Sequence, residues 1–223
     1  MFKPSRVIEL SHVLQPYTEE YQLEVDNKPV REMMPFYADK VPKDKWYIMS
    51  EVRLWSHTGT HIESPYHYIE DGVDIARIPL ERIVGPAIVL DFTDKGHMEE
   101  ITRVELMTRG HDIEAGDIVL IHTAFAHYYH TDKSHDRPYL AEDAVHWLVE
   151  KRIACLGIDA SGIENRNQPT QPNHFTLFSN NIPLIEHLVN LDKLTQRRVY
   201  LTAVPLRVKG LDAWPITVLA FES

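Results

Sequence analysis

The sequence predicts an α/β fold built on one large mixed or antiparallel sheet flanked by helices, and three observations predict it. Strand-like apolar runs outnumber helical patterns along the chain. No shift in composition, internal repeat or low-complexity segment marks a boundary, so residues 1–223 are expected to form a single domain. Apolar residues make up 43% of the chain, enough to bury one sizeable core.

Taken in order, Val7-Ile8-Glu9-Leu10-Ser11 reads as the first strand. A polar, proline-punctuated stretch follows to about Asp44. Residues 15–45 fit a substrate lid, an intersubunit arm or irregular structure around short strands. Trp46 to Ser56 is β-like, and Ala87 to Phe92 and Ile118 to His122 are short apolar runs suited to central strands. Between those two, Thr102 can cap a short helix through Val104, Leu106 and Met107, which Gly110 stops. Ala141 to Lys151 is helical, with Ala144, Val145, Leu148 and Val149 on one stripe, and strand Ile153 to Ile158 follows, ending in Asp159. A second helix is predicted from near Pro183 through Glu186, with Leu184, Ile185, Leu188 and Val189 facing the core. Val199 to Leu206 and Trp214 to Phe221 read as two strands joined through Gly210-Leu211-Asp212.

The formal net charge of -10, from 23 basic and 33 acidic residues, disfavours nucleic acid as a partner, since phosphate backbones are bound by Lys and Arg. No apolar run is long enough to cross a bilayer, so no membrane partner is expected. Met1-Phe2-Lys3-Pro4-Ser5-Arg6 lacks the apolar stretch of a signal peptide, and a cytoplasmic location is the expectation. The single Cys155 has no disulfide partner in the chain and, among apolar neighbours, reads as a buried, inert thiol.

Function is most legible in His57-Thr-Gly-Thr-His61-Ile-Glu63-Ser-Pro-Tyr-His67, four ligand-type side chains in one short stretch. Gly59, Pro65 and two threonines argue against a helix, and Thr58 stands where a His-Glu-x-x-His protease needs its glutamate. In a strand, His61 and Glu63 share a side by the period of two, and a bend at Gly59 can bring His57 round to join them. Two imidazoles and a carboxylate form a ligand set for Zn²⁺ or Mn²⁺ with positions left for water and substrate. A His-x-x-x-His pair on its own usually means two ordinary histidines; the added Glu63 and His67 favour metal. Far along the chain, His174 and Glu186 offer a second half. A carboxylate among the apolar residues around Glu186 is expensive unless paired or metal-bound. Alone, it reads better as a helix-start acid favoured by the dipole; beside a two-histidine, one-carboxylate site it becomes the carboxylate partner. His187 is the less attractive ligand.

These residues resemble the putative cyclase family of metal-dependent hydrolases, which includes bacterial kynurenine formamidase and isatin hydrolase. The family motif, His-x-Gly-Thr-His-x-Asp-x-Pro-x-His, matches His57 to His67 with Glu63 in place of the aspartate. Leu10-Ser11-His12, Leu156 to Ala160, the order and separation of His174 and Glu186, and Pro205 to Pro215 continue the resemblance over nearly the whole chain. It implies a swivelling β/β/α-type fold assembled as a homodimer or higher homo-oligomer. It also implies that His57, His61, Glu63, His174 and Glu186 are the metal ligands. The site would hold one or two ions: two Zn²⁺ bridged by Glu63 as in formamidases, or one Mn²⁺ as in isatin hydrolase-like members. His67 matches the histidine that moves protons. The departure at Glu63 lengthens the side chain by one methylene and bears on metal spacing, identity and number. His122, where relatives often carry another residue, places Thr123-Ala124-Phe125 near the expected pocket.

The expected reaction is hydrolysis of an amide or formamide C–N bond in a small aromatic or cyclic amide. N-formylkynurenine, giving kynurenine and formate, is the leading substrate, and ring opening of a cyclic amide or lactone is the alternative. A divalent ion lowers the pKa of water and polarises the carbonyl. His67 accepts the water proton and returns it to the leaving nitrogen, a role suited to an imidazole. No Gly-x-Ser-x-Gly elbow supports a serine route. Trp46, Tyr66, Tyr68, Phe125 and Phe175 flank the motifs and are candidate substrate contacts, or else core and interface residues. Asp159 is a candidate to orient a ligand histidine or to cap a turn. His127, His130 and His135 read as polar loop histidines. Dehydratase or isomerase chemistry and a non-catalytic metal-binding protein are the rival classes.

Overall fold

The computed structural model describes residues 4–42 and 44–223. Met1 to Lys3, the start of the segment judged for a signal peptide, and Lys43, within the proline-punctuated stretch, lie outside the described residues. In chain order the strands and helices are β1 (Arg6–Glu9), β2 (Leu23–Pro29), α1 (Val30–Met33), β3 (Ile48–Leu54), β4 (His61–Glu63), β5 (Val84–Asp91), β6 (Glu100–Ile101), α2 (Arg103–Arg109), β7 (Ile118–His122), β8 (Tyr139–Leu140), α3 (Glu142–Glu150), β9 (Cys155–Ile158), α4 (Pro172–Ser179), β10 (Leu184–Glu186), β11 (Arg198–Thr202), β12 (Ala213–Pro215) and β13 (Leu219–Glu222). Short 3-10 turns link several of them.

A curled, mixed sheet of nine strands in the order β1-β13-β11-β5-β7-β9-β10-β4-β12 organises the molecule. The run β5-β7-β9-β10 is parallel and both flanks are antiparallel. A parallel pair needs a crossover, and α3 between β7 and β9 supplies one. Because side chains alternate across a strand, each central strand feeds two cores. On one face, Leu90, Ile121, Leu156 and Leu184 pack with Leu106 of α2, Val145 and Leu148 of α3 and Leu177 and Phe178 of α4. On the other, Ile118, Leu120, Cys155 and Ile185 meet Ile8, Leu201 and Ala220 from one end of the sheet and Ile62 from the other. Curling lets the sheet cover its own second face without helices.

Local chemistry explains several predicted elements. Thr102 caps α2: its hydroxyl oxygen accepts from the Glu105 N–H at 3.3 Å, and the Glu105 carboxylate accepts from the Thr102 N–H at 3.0 Å. Such a cap contributes about 1 kcal/mol. The helix ends at Gly110, whose N–H donates to Leu106 O at 2.7 Å. Cys155 is fully buried, and burial pushes its thiol pKa up, as an inert core thiol requires.

Two expectations are corrected. The predicted helix from Pro183 is strand β10. Its run of apolar residues is too short for periodicity to separate helix from strand, and Leu184 and Ile185 are buried on opposite faces of the sheet. Leu188 and Val189 then donate to Ile158 O and Leu10 O, not along a helix. A helix occurs earlier instead, as α4, which opens with Pro172 in its first turn and buries Asn173, His174, Leu177 and Phe178. The closing run Trp214 to Phe221, read as one strand, is split in two: β12 pairs with β4 at one edge of the sheet, and β13 pairs with β1 and β11 near the other. The proline-punctuated stretch contains half of a separate two-stranded sheet, β2 with β3, most of whose side chains are exposed.

Candidate metal centre

Strand pairing assembles the site. Strand β4 lies between β10 and β12, with His61 opposite Glu186 and Glu63 opposite both Leu184 and Ala213. His61 and Glu63 share one face, and Ile62 between them turns into the core. Gly59 has φ +63°, a left-handed conformation that favours glycine, and a Cβ there would meet the Leu14 side chain. The turn brings His57 back until its Nδ1 is 2.8 Å from Glu63 Oε1. Helix α4 delivers His174 from above the same face, its Nε2 3.5 Å from both Glu63 Oε2 and Glu186 Oε1. The predicted residues His57, His61, Glu63, His174 and Glu186 are thus brought together from three segments of the chain.

Their surroundings aim the donor atoms inward. His61 Nδ1 lies 2.8 Å from Gly59 O, which accepts the ring proton there and turns Nε2 toward Glu63 and Glu186. His174 repeats the device: Nδ1 lies 2.9 Å from the Glu164 carboxylate, and Nε2 points into the cluster. An outer partner that fixes the tautomer is the usual arrangement around a metal-binding imidazole. Two groups of donors, His57-His61-Glu63 and Glu63-His174-Glu186, each have their atoms within 4.8 Å of one another, and Glu63 belongs to both. Buried Glu63 Oε2 has no hydrogen-bond partner in the protein. A buried carboxylate oxygen that accepts no hydrogen bond favours a cation beside it.

The charges agree. Burial alone would lower the pKa of His57, but its bonds to Asp212 and Glu63 together overcome this and push it up to about 10. Burial likewise opposes protonation of His174, and Glu164 and Glu186 outweigh it, raising its pKa to about 10. Burial would raise the Glu63 carboxyl, yet the His57 and His61 rings hold it well below the usual range. Without a metal, protons supply the positive charge that these carboxylates demand. The residues present therefore fit a divalent ion.

His67 stands beside this set, with Nδ1 3.1 Å from Asp212 Oδ2, and the same oxygen lies 2.9 Å from His57 Nε2. His57, His67 and Asp212 form a third potential donor group. Asp212 and Glu164 are functional candidates that sequence reasoning missed. Asp212 read only as a linker residue, and no spacing rule connects Glu164 with His174 before α4 is known. His187 is buried and belongs to none of the donor groups; burial first, then the His61 charge, hold its pKa well below the ordinary value.

A cavity of about 700 Å³ opens over the cluster, a size suited to a small molecule. Trp46, Tyr66, Phe125 and Phe175 are not among its lining residues, and Phe125 lies in the core. Trp46 is 86% exposed and Phe175 57% exposed. Adjacency to a motif did not predict direction, because neighbouring side chains on a strand or helix point apart. The rings that line the cavity are Tyr21 and Trp55, and Tyr68 stacks on His174 at 5.5 Å between centroids. Asp159 caps the turn after β7, accepting from Thr123 and Ala124 N–H groups at 2.8 Å each. Among the loop histidines, His130 and His135 pair with Glu19 and Glu20, and His127 bonds to Ala124 O.

Residues 8–165 match the family described as putative cyclase. The chain belongs to this family. A kynurenine formamidase of Erythrobacter litoralis (strain HTCC2594) is 30% identical over 165 residues, covering 74% of this chain and 73% of the relative. A kynurenine formamidase of Bordetella petrii is 28% identical over 210 residues, covering 87% of this chain and 95% of the relative. Among solved structures, a potential metal-dependent hydrolase with cyclase activity superposes with TM-score 0.78 at 31% identity over 98% of both chains. An isatin hydrolase bound to the product analogue thioisatinate gives TM-score 0.82 at 21% identity over 96% of this chain and 91% of that one, a likeness of fold. The mixed α/β architecture with its curled sheet is thus the cyclase-family fold. No helix among the described residues is long and apolar enough to cross a membrane.

Proposed function

We propose that this cyclase-family chain is a metal-dependent hydrolase that cleaves the C–N bond of an aryl formamide, with N-formylkynurenine as the leading substrate. The observation that carries the reading is Glu63, a buried carboxylate shared by two groups of His and Glu donors, with one oxygen that accepts no hydrogen bond in the protein. The kynurenine formamidase relatives supply the substrate class. His57, His61, Glu63, His174 and Glu186 would hold Zn²⁺ or Mn²⁺, for which imidazole and carboxylate donors are suited. Because Glu63 belongs to both groups, the same residues would hold one or two such ions.

The bound ion supplies Lewis acidity, lowering the pKa of water and polarising the substrate carbonyl. The chain's own part is to orient and to move protons. Gly59 O and Glu164 fix the His61 and His174 rings, so that neither needs to reorganise during turnover. Asp212 accepts from His67 Nδ1 and leaves the other ring nitrogen free to take a proton from the attacking water. As the C–O bond forms and the C–N bond breaks, His67 returns that proton to the leaving nitrogen. The products are formate and the free arylamine.

The oligomer is proposed as a homodimer or larger assembly, working in the cytoplasm. An isolated two-stranded hairpin is marginally stable. Strands β2 and β3 form such a hairpin, with Met49 and Val52 exposed on it and Trp46 exposed beside it. Such an arm is suited to embrace a second copy, while Glu20 and Tyr21 before it wall the cavity.

The test is an assay of protein reconstituted with Zn²⁺ or Mn²⁺ against N-formylkynurenine, formanilide and isatin, following formate and ring opening separately. Formate release carries the proposal. Metal-loaded protein that turns over none of the three would end it.

A further inference from the structure

We infer that Arg137 is a specificity-determining residue, binding an ionised carboxylate on the substrate at the flank of the metal cluster. The inference rests on the hydrolase reading above and adds to it a substrate class: aromatic amides that carry an acid group. Arg137 is 7% exposed and lines the cavity. It stands just before β8, and neutral backbone carbonyls hold its plane. Nε donates to Gly162 O at 2.9 Å and Nη1 donates to His135 O at 3.2 Å. Among the described residues it forms no ion pair, and Nη2 donates no hydrogen bond.

The absence of a Cβ at Gly162 makes this placement possible. An atom built there would lie 2.8 Å from Arg137 Nη2 and 3.0 Å from Glu186 Oε1, at a φ of +124°. The guanidinium therefore comes up beside the cluster across a glycine, without touching its carboxylates directly. Glu186 and Glu164 stabilise its charge from a distance, against a larger effect of burial. With an ion bound, Glu63 and Glu186 would be occupied; Glu164 bonds His174 through Oε1, its Oε2 accepts no hydrogen bond, and among the described residues it forms no ion pair with Arg137. Arg137 then lines the cavity as a buried cation with no ion-pair partner among the described residues. That state is costly, and the planar fork of a guanidinium matches a carboxylate. Trp55 and Tyr21 line the same cavity and offer ring surface for the aryl part.

The rival role is a counter-ion to Glu164 and Glu186 that never meets substrate. Metal-loaded wild type, Arg137→Gln and Arg137→Lys would be compared on N-formylkynurenine and on formanilide, which lacks the acid group. In Arg137→Gln the ratio of kcat/KM for the two substrates should fall by about 30-fold in disfavour of N-formylkynurenine, chiefly through KM, with Arg137→Lys between. Equal loss on both substrates, or loss of metal from both variants, would overturn the inference and assign the counter-ion role. Calorimetry with kynurenine supplies a readout free of turnover. Wild type should bind it about 30-fold more tightly than Arg137→Gln at equal metal content. Equal binding, or none by wild type, overturns the inference even if the protein hydrolyses neither substrate, a result that would separately sink the hydrolase reading.

Discussion

Asp212 Oδ2 lies 3.1 Å from His67 Nδ1 and 2.9 Å from His57 Nε2, so one carboxylate oxygen orients both a proposed metal ligand and the proposed proton carrier. The other oxygen accepts from Ser56 Oγ at 3.0 Å, which fixes the carboxylate plane. Asp212→Asn keeps the shape and removes the charge, leaving at least one of the two rings with a weaker acceptor. Turnover should fall roughly 100-fold, the scale of a lost proton-transfer partner. Steady-state kinetics alongside circular dichroism checks it; full activity in a folded variant would remove Asp212 from the machinery.

His67→Ala separates proton transfer from metal binding. His67 adjoins the cluster through Asp212 and through a 4.5 Å ring contact with His57. The variant should keep most of its bound metal while losing at least about tenfold in turnover. Metal analysis decides the matter, since His57, His67 and Asp212 also form a potential donor group. Metal lost in proportion to activity would make His67 a ligand.

Glu63→Asp restores the residue of the family motif. The shorter side chain draws its oxygens back from His57 Nδ1, now 2.8 Å away, and from His174 Nε2, now 3.5 Å away. Both donor groups share Glu63, so both must readjust. The expected outcome is a change in Zn²⁺ against Mn²⁺ preference or in ions per chain, with folding retained. Elemental analysis that finds the same occupancy and preference would count against a ligand role tuned to glutamate.

How far these arrangements could be read beforehand depended on the range of the interactions. Strand β7 and capped helix α2 were legible because a short apolar run and a Thr-x-x-Glu cap are local signals. The five cluster residues were legible because metal chemistry restricts residue type strongly. Strand β10 was misread as helix because Leu184 and Ile185 are buried on opposite sides of a sheet whose neighbours lie far away in sequence. Glu164 and Asp212 were missed for the same reason: each acquires meaning only from a histidine brought near by folding. Trp46, Tyr66, Phe125 and Phe175 do not line the cavity, because sequence proximity does not encode direction.

Removing the metal should destabilise the fold. Glu63 and Glu186 are buried, and an ion held by them binds the native state alone. At roughly a thousand times its dissociation constant, such a ligand stabilises by about 4 kcal/mol. For a chain of this size that corresponds to about 10 °C in Tm. Scanning fluorimetry with and without a chelator, followed by add-back of Zn²⁺ or Mn²⁺, tests the expectation. An unchanged Tm in protein shown to have lost its metal would mean that the cluster does not support the fold.

Acid should destabilise the protein partly through His12. Its ring stacks on Tyr129 with centroids 4.0 Å apart, and its Nε2 is buried without a hydrogen-bond partner. Burial, aided by the charge of His130 and opposed by Glu19, lowers its pKa from 6.5 to about 4. Between those values the unfolded chain takes up a proton at this position and the folded chain does not, so stability falls as pH drops through the window and the loss is complete below about 4. Other groups titrate in the same range, so the informative quantity is a difference between proteins. His12→Gln should be less stable than wild type at pH 7, having lost the stacked ring, yet lose less stability than wild type between pH 6.5 and 4.5. Urea midpoints measured at several pH values for both proteins give the two slopes. Parallel slopes would show that His12 is already protonated in the folded state, and that the ring stacks on Tyr129 as a cation.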